Sequence, residues 1–337
     1  MKRRYLNLGL GLALMPVALV LNLSHGAGDV TLSDVAQALI SFDDTRYEHA
    51  IVIYQRLPQA LIAIYVGALM AVGGTVLQGL IRNPLASPAT LGLNSGAALF
   101  VVAGAFLFDF SPVWQGGAAL AGSIFGFVAC LAVARLVGRT NDPRRLSFIL
   151  SGVLVSMLLM GMTNALLLSD PSRRVEFLGW VTGNVNHAYV DRLYDFWWIG
   201  AVSLAILIGL ARPLTLTLLG GEKAASAGVN VTAVSRIALL AVMIGTGSAV
   251  AICGPIAFVG LVVPHIARPL VGSGLGLALP AGAAIGASFC LLADLAARIL
   301  FQPYVLHTGL LLDLLGGLVF IVIVKRFYLM PGRRGLI

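Results

Sequence analysis

Few ionisable side chains of this 337-residue chain lie inside its apolar stretches, and those few are where chemistry could reside. Asp294, Arg298 and Asp313 are the ones to explain. A charge at mid-bilayer costs roughly 2.5–3.5 kcal/mol on insertion scales, so such residues face a protein interior or a wet path. Asp294 and Arg298 are four apart and share one helix face, which suits either a structural pair or a functional one. His265, read alone, could ligate a metal. No second His, Cys or acid stands near it in sequence, so a hydrogen-bonded structural histidine is the simpler reading. Cys130, Cys253 and Cys290 lie within or at the edge of apolar stretches without CxxC spacing, as small packing residues do. No GxxxxGK[ST] phosphate loop, HExxH, GxSxG or Cys/His cluster occurs, nor a chain of buried carboxylates. We therefore expect no catalytic residue, no resident metal or cofactor, and no ATP hydrolysis by this chain alone.

The elements that hold these residues are apolar runs. The chain is 59% hydrophobic and 11% charged, with a mean hydropathy of +0.95. A soluble domain of this length could not bury so much apolar surface, whereas about 20 residues meet the ~30 Å hydrocarbon of a bilayer. Backbone groups in lipid must pair within their own segment, so the expected fold is an all-α polytopic membrane protein. Ten candidate spans are read at roughly 5–23, 57–81, 91–108, 113–137, 146–168, 193–211, 233–252, 255–271, 281–299 and 309–325, several short enough to be half-helices.

Loop charge sets direction. With the N-terminus inside, that side receives Lys2, Arg3, Arg4, Arg82, Arg135, Arg139, Arg144, Arg145, Arg212, Lys223, Arg236, Arg268, Lys325, Arg326, Arg333 and Arg334. Only Arg46, Arg56, Arg173, Arg174, Arg192 and Arg298 fall outside, together with most of the acids, including Asp29, Asp43, Asp109, Asp170 and Glu176. Both termini are thus expected to be cytoplasmic. The net charge of +8 sits at span ends, where it fixes topology and meets anionic lipid, and nucleic acid is not an expected partner. The first 25 residues resemble a secretory signal, but their apolar run of about 18 residues is long for one, and an uncleaved first span is expected.

Glycine, at 39 residues, is concentrated inside the spans. Gly122 with Gly126 and Gly282 with Gly286 are small-xxx-small pairs, and Gly67, Gly73, Gly74, Gly316 and Gly317 extend the theme. Such residues let helix backbones approach closely in lipid.

Three stretches rise above composition. The first runs from Arg56-Leu57-Pro58-Gln59 to Arg82-Asn83-Pro84-Leu85-Ala86-Ser87-Pro88 and Ser95-Gly96-Ala97. The second is Leu218 to Val229, containing Gly220-Gly221-Glu222-Lys223-Ala224-Ala225-Ser226-Ala227-Gly228. The third is Gly254-Pro255-Ile256-Ala257-Phe258-Val259-Gly260-Leu261, then Pro264-His265 and Arg268, continuing to Asp294 and Arg298. Together they closely resemble the FecCD-type permeases, membrane subunits of bacterial ABC importers for ferric siderophores, haem and cobalamin, over roughly residues 50–330.

The resemblance implies a single transmembrane permease domain over 1–337 in the bacterial inner membrane, with periplasmic segments at about 24–55 and 169–192. It implies a second permease subunit (a second copy or a close homologue), two cytoplasmic ATPase subunits, and a periplasmic substrate-binding protein. The fifth and tenth spans would line a path along the dimer axis. Residues 220–228, in a cytoplasmic loop at about 212–232, would form the coupling helix to the ATPase; Gly220, Gly221, Glu222, Lys223, Ala224, Ala225, Ala227 and Gly228 carry it. Arg56 and Arg298 match arginines that dock the binding protein. Arg82-Asn83-Pro84 reads as a structural turn. This chain departs from the family at Gln59, at Ser273-Gly274-Leu275-Gly276, and at Val305-Leu306-His307-Thr308-Gly309 before Asp313. His307 and Asp313 thereby become candidate path-lining residues. The expected cargo is a ferric siderophore, with haem or cobalamin as alternatives. Beside this importer stand two other readings: an ATP-independent secondary carrier, and a membrane enzyme or scaffold without flux.

Overall fold

The computed structural model describes residues 2–26, 28, 30–137, 146–301 and 306–325. Asp29, Arg139, Arg144, Arg145, Val305, Arg326, Arg333 and Arg334 lie outside the described residues. Among those described, the elements are helical throughout: α1 (Lys2–Ser24), α2 (Leu32–Ile40), α3 (Tyr47–Ile51), α4 (Leu57–Ile81), α5 (Leu93–Phe108), α6 (Pro112–Val137), α7 (Leu146–Ser169), α8 (Pro171–Val181), α9 (Val190–Gly209), α10 (Ala211–Leu219), α11 (Gly221–Ser226), α12 (Val231–Cys253), α13 (Val259–Val271), α14 (Leu275–Leu300) and α15 (Thr308–Val324).

Among the described residues, seven helical segments are long and apolar enough to cross a membrane, and three shorter apolar helices of 10–17 residues accompany them. Each of the ten apolar stretches contains a helix. The second starts earlier than expected. A π-helical turn, Val52–Arg56, joins α3 to α4, so one helical rod runs 35 residues from Tyr47 to Ile81. At 1.5 Å per residue it spans about 50 Å, so part of it must lie beyond the hydrocarbon or the rod must tilt. The polar segment at 24–55 also holds α2, closed at its N-terminus by a capping box between Thr31 and Asp34.

The rod is the hub. Its most apolar window is 78% buried, against 17% for α1, and it packs on α12, α13 and α14. Small residues make the seams. A Cβ on Gly67 would collide with the backbone of Gly286 on α14, and one on Gly74 with the backbone of Gly260 on α13. Gly96 meets Gly122, and Gly92 meets Gly126, bringing α5 and α6 together in the same way. Dispersion between closely approached backbones replaces the hydrophobic effect that lipid cannot supply.

The apolar stretch expected at 255–271 is helical only from Val259. Residues 254–258 are irregular, with Gly254 at φ +79° and Phe258 at φ +60°. Irregular backbone at membrane depth survives only where protein satisfies it. Here the Asn94 side chain donates to Ile256 O at 3.0 Å and Asn184 N–H donates to Cys253 O at 2.8 Å. Phe258 is wedged against Gly316 of α15, where any Cβ would overlap its ring.

Candidate functional site

Three assemblies hold the candidate residues, two joining residues far apart in sequence and one formed by a single local segment. The first is a cavity of about 450 Å³ where α5, α7, α8, the 254–258 break and α15 meet. Asp313 lines it, with Asn94, Ser95, Ser156, Asn164 and Thr182 as its other polar side chains. Asn94 Oδ1 and Ser156 Oγ are buried without a partner. Asp313 and Asn164 are exposed on faces otherwise made of leucine and methionine, including Leu154, Met157 and Leu158 of α7 and Leu314 and Leu318 of α15. A carboxylate set in such a face is costly against lipid, so the face needs water or another protein surface over it. His307 is not in this cavity. It precedes α15 with its Nε2 3.2 Å from where a Cβ on Gly179 of α8 would stand. Asp313 thus lines the cavity, while His307 stands beside α8, one of the helices that wall it.

The second assembly is the α10–α11 segment. The expected loop at 212–232 contains two helices. α11 begins after Gly220, whose φ of +136° favours glycine, and ends in a full Schellman motif. Gly228 at φ +80° donates its N–H to Ala225 O at 2.9 Å, and Val229 N–H donates to Ala224 O at 3.0 Å. Ala224 is buried, while Glu222, Lys223, Ala225, Ala227 and Gly228 are exposed or half-exposed. The result is a short, well-capped helix projecting from the bundle, with an acidic and a basic side chain side by side.

The third assembly closes the opposite end of the bundle. Asp294 is 2% exposed and accepts from Arg298 at 2.8 Å, from Asn22 Nδ2 at 3.0 Å and from Thr308 Oγ1 at 3.2 Å. It therefore ties α1, α14 and the first residue of α15. The i,i+4 pair read from sequence is present. Arg56, expected on the rim, is only 2% exposed. Its guanidinium donates to Leu23 O at 2.8 Å and Gly28 O at 3.2 Å, closing the end of α1. The structure spends its charge inside the chain, and Arg298 likewise reaches back to Asn22 O at 3.3 Å. The more open arginine of this end is Arg173, paired with Asp109 at 2.6 Å and Asp170 at 3.6 Å.

Two further motif residues prove local. His265 Nδ1 lies 2.8 Å from Leu261 O in its own helix. Arg82 takes the left-handed position at φ +54° after α4, and Asn83 Oδ1 accepts from Leu85 N–H at 2.9 Å, which makes Arg82-Asn83-Pro84 a turn. Sequence reasoning passed over Asn22, Asn94 and Asn164. Each is an amide inside an apolar stretch, a signal it weighed only for ionisable groups.

In the segment ahead of the rod, Asp34 has its carboxyl held below the ordinary range, first by the Thr31 hydrogen bonds and then by Arg46 at 2.6 Å. Asp43 is lowered in the same sense, chiefly by the Thr45 hydroxyl at 2.6 Å.

A bundle of long apolar helices sewn by glycine seams has the build of a multi-pass membrane protein. A sequence model of the FecCD transport family matches residues 14–326, and the chain belongs to that family. It is 34% identical to two permeases, over 328 and 307 residues. The iron(3+)-hydroxamate import permease FhuB of Bacillus subtilis is matched over 97% of this chain and 83% of its own length. The Fe(3+) dicitrate transport permease FecC of Escherichia coli is matched over 90% and 91%. Among solved structures, a metal-chelate type ABC transporter in an inward-facing conformation aligns over 96% of this chain and 100% of its own. Its TM-score is 0.79 at 28% identity.

Proposed function

We propose that this chain is the transmembrane permease subunit of a binding-protein-dependent ABC importer for a ferric siderophore, in the bacterial inner membrane. It spans the membrane ten times with both termini in the cytoplasm. It pairs with a second permease, a copy of itself or a close homologue, and two ATPase subunits attach below. The observation that carries the reading is the placement of Asn164 and Asp313 on otherwise apolar outer faces of α7 and α15. Those faces would meet across the dimer axis and bound the path, with Asp313 rather than His307 beside the cargo. Permease relatives that import ferric hydroxamate and ferric dicitrate support the cargo class.

In this scheme α11 presses into the ATPase. ATP binding draws the ATPases together, α11 and α10 carry that motion into α12, and the path switches between outward and inward access. Arg56 and Arg298 serve docking of the binding protein from within, by holding the end of α1 and the start of α15 in the shape the partner meets. The permease makes and breaks no covalent bond. Co-purification of the chain with the ATPase subunit of its importer tests the proposal. Recovery of a stoichiometric complex, lost when Glu222 and Lys223 are both replaced by Ala, is expected. Transport by the chain alone, driven by an ion gradient, would sink it in favour of a secondary carrier.

A further inference from the structure

A second cavity, also about 450 Å³, lies at the end of the bundle that carries α11, between α1, α10 and the turn from α13 into α14. Arg4 of α1 and Arg212 of α10 both line it, over 200 residues apart in sequence, with no acidic residue among its lining. Neither guanidinium has a carboxylate partner among the described residues. The floor is the start of α14. Its N-cap, Gly274, supplies no side-chain acceptor, and the Leu275 N–H donates to Thr215 Oγ1 at 3.0 Å. Leu275 N–H is thus taken by Thr215 and Leu277 N–H by Gly274 O at 3.2 Å, and what the start of this 26-residue helix adds to the two arginines is the positive end of its dipole. Gly272, at φ +94°, lets the backbone pass directly under the Arg4 guanidinium, which lies 3.2 Å from where a Cβ would be. The remaining lining, Leu216, Val271 and Leu277, is apolar.

We infer that this cavity binds the phosphate group of an anionic membrane lipid. Two guanidiniums and a helix N-terminus match the charge and the acceptor oxygens of a phosphodiester. The apolar walls suit the glycerol and the first acyl carbons, as basic pockets between helix ends suit lipid headgroups. The occupant bridges α1 to α10, the helix that leads into α11. It is a site beyond the transport path and independent of which cargo is carried.

The test is native mass spectrometry of the purified full chain, titrated with phosphatidylglycerol, phosphatidylcholine or inorganic phosphate. One phosphatidylglycerol is expected to be retained in preference to phosphatidylcholine. Its affinity should fall roughly tenfold in Arg4→Gln and in Arg212→Gln, the size of one charge-assisted contact. Gly276→Asp guards against misfolding. The position is open, with nothing within 4 Å of a built Cβ, and an acid in the first turn favours the helix. That variant should keep its thermal stability and lose the lipid. Equal retention of the two lipids, or unchanged phosphatidylglycerol affinity in all three variants, overturns the proposal. Saturation by inorganic phosphate at the same concentrations as by lipid assigns the site to the free anion and overturns the lipid reading.

Discussion

Replacing Asp294 by Ala removes a carboxylate from a buried end-cluster that holds two guanidiniums. In the intact protein the carboxylate takes an ion pair at 2.8 Å and two hydrogen bonds, all from groups on other turns or other helices. Without it, Arg298 retains a 3.3 Å bond to Asn22 O, and Arg56 remains buried beside it. Removing one partner of a buried pair costs about 3–5 kcal/mol. The Arg298 side chain keeps 17% exposure and some water, so the lower end, about 3 kcal/mol, is expected. Asp294→Asn keeps one acceptor oxygen for Asn22, while its NH2 must donate to the Thr308 hydroxyl that formerly donated to Oδ1, and it should lose about 1–2 kcal/mol. The double variant Asp294→Ala/Arg298→Ala removes the stranded charge, and the cycle should return a coupling near 2 kcal/mol. The assay is reversible unfolding in mixed detergent micelles, with hydrogen exchange at the first turn of α15 as the local readout. Thr308 loses its acceptor, so that turn should exchange faster than the middle of α4. A loss below about 1 kcal/mol in Asp294→Ala, or no coupling with Arg298→Ala, would refute the argument that this carboxylate neutralises the cluster.

Three other outcomes follow from the geometry. Gly74→Ala drives a methyl into the Gly260 backbone and should destabilise by about 1–3 kcal/mol, whereas Gly161→Ala, with open space around it, should leave the detergent melting temperature unchanged. Gly228→Val forces a β-branched residue to φ +80°, at a cost of about 1–2 kcal/mol, and should lower cargo-stimulated ATP hydrolysis of the assembled complex while membrane insertion persists. Asp34 titrates below its ordinary value of about 3.8, so its contribution to α2 is complete above that pH and fades as pH falls through the lower folded value. Protection of α2 amides relative to their intrinsic exchange should therefore fall only in strong acid, and Asp34→Asn should show the weaker protection near neutral pH, the difference closing as Asp34 protonates.

The ten apolar stretches and the small α11 helix were legible because each is local. Runs of apolar residues, glycine punctuation at 220, 221 and 228, and four-residue spacing are statements about one segment. The Asp294–Arg298 pair was visible for the same reason. What stayed hidden depends on which helix stands opposite. Nothing near Arg56 in sequence reveals that its guanidinium turns inward to Leu23 O, 33 residues away. Asn22 joins Asp294 across 272 residues. The irregular backbone at 254–258 is satisfied by the Asn94 amide arriving from α5 and by the Asn184 N–H at its start, neither near it in sequence. Spacing also could not separate His307 from Asp313, which six residues of helix turn toward different neighbours.

In the function proposed, this chain couples ATP hydrolysis in partner subunits to passage of a ferric chelate. The most direct measurement is ATP hydrolysis by the complex in proteoliposomes, with its ATPase and binding protein present and a ferric siderophore, haem or cobalamin loaded in turn. The account predicts stimulation by a ferric siderophore-loaded binding protein, together with uptake of the iron. An assembled complex whose hydrolysis responds to none of the three, or iron uptake that proceeds without ATP, would contradict it.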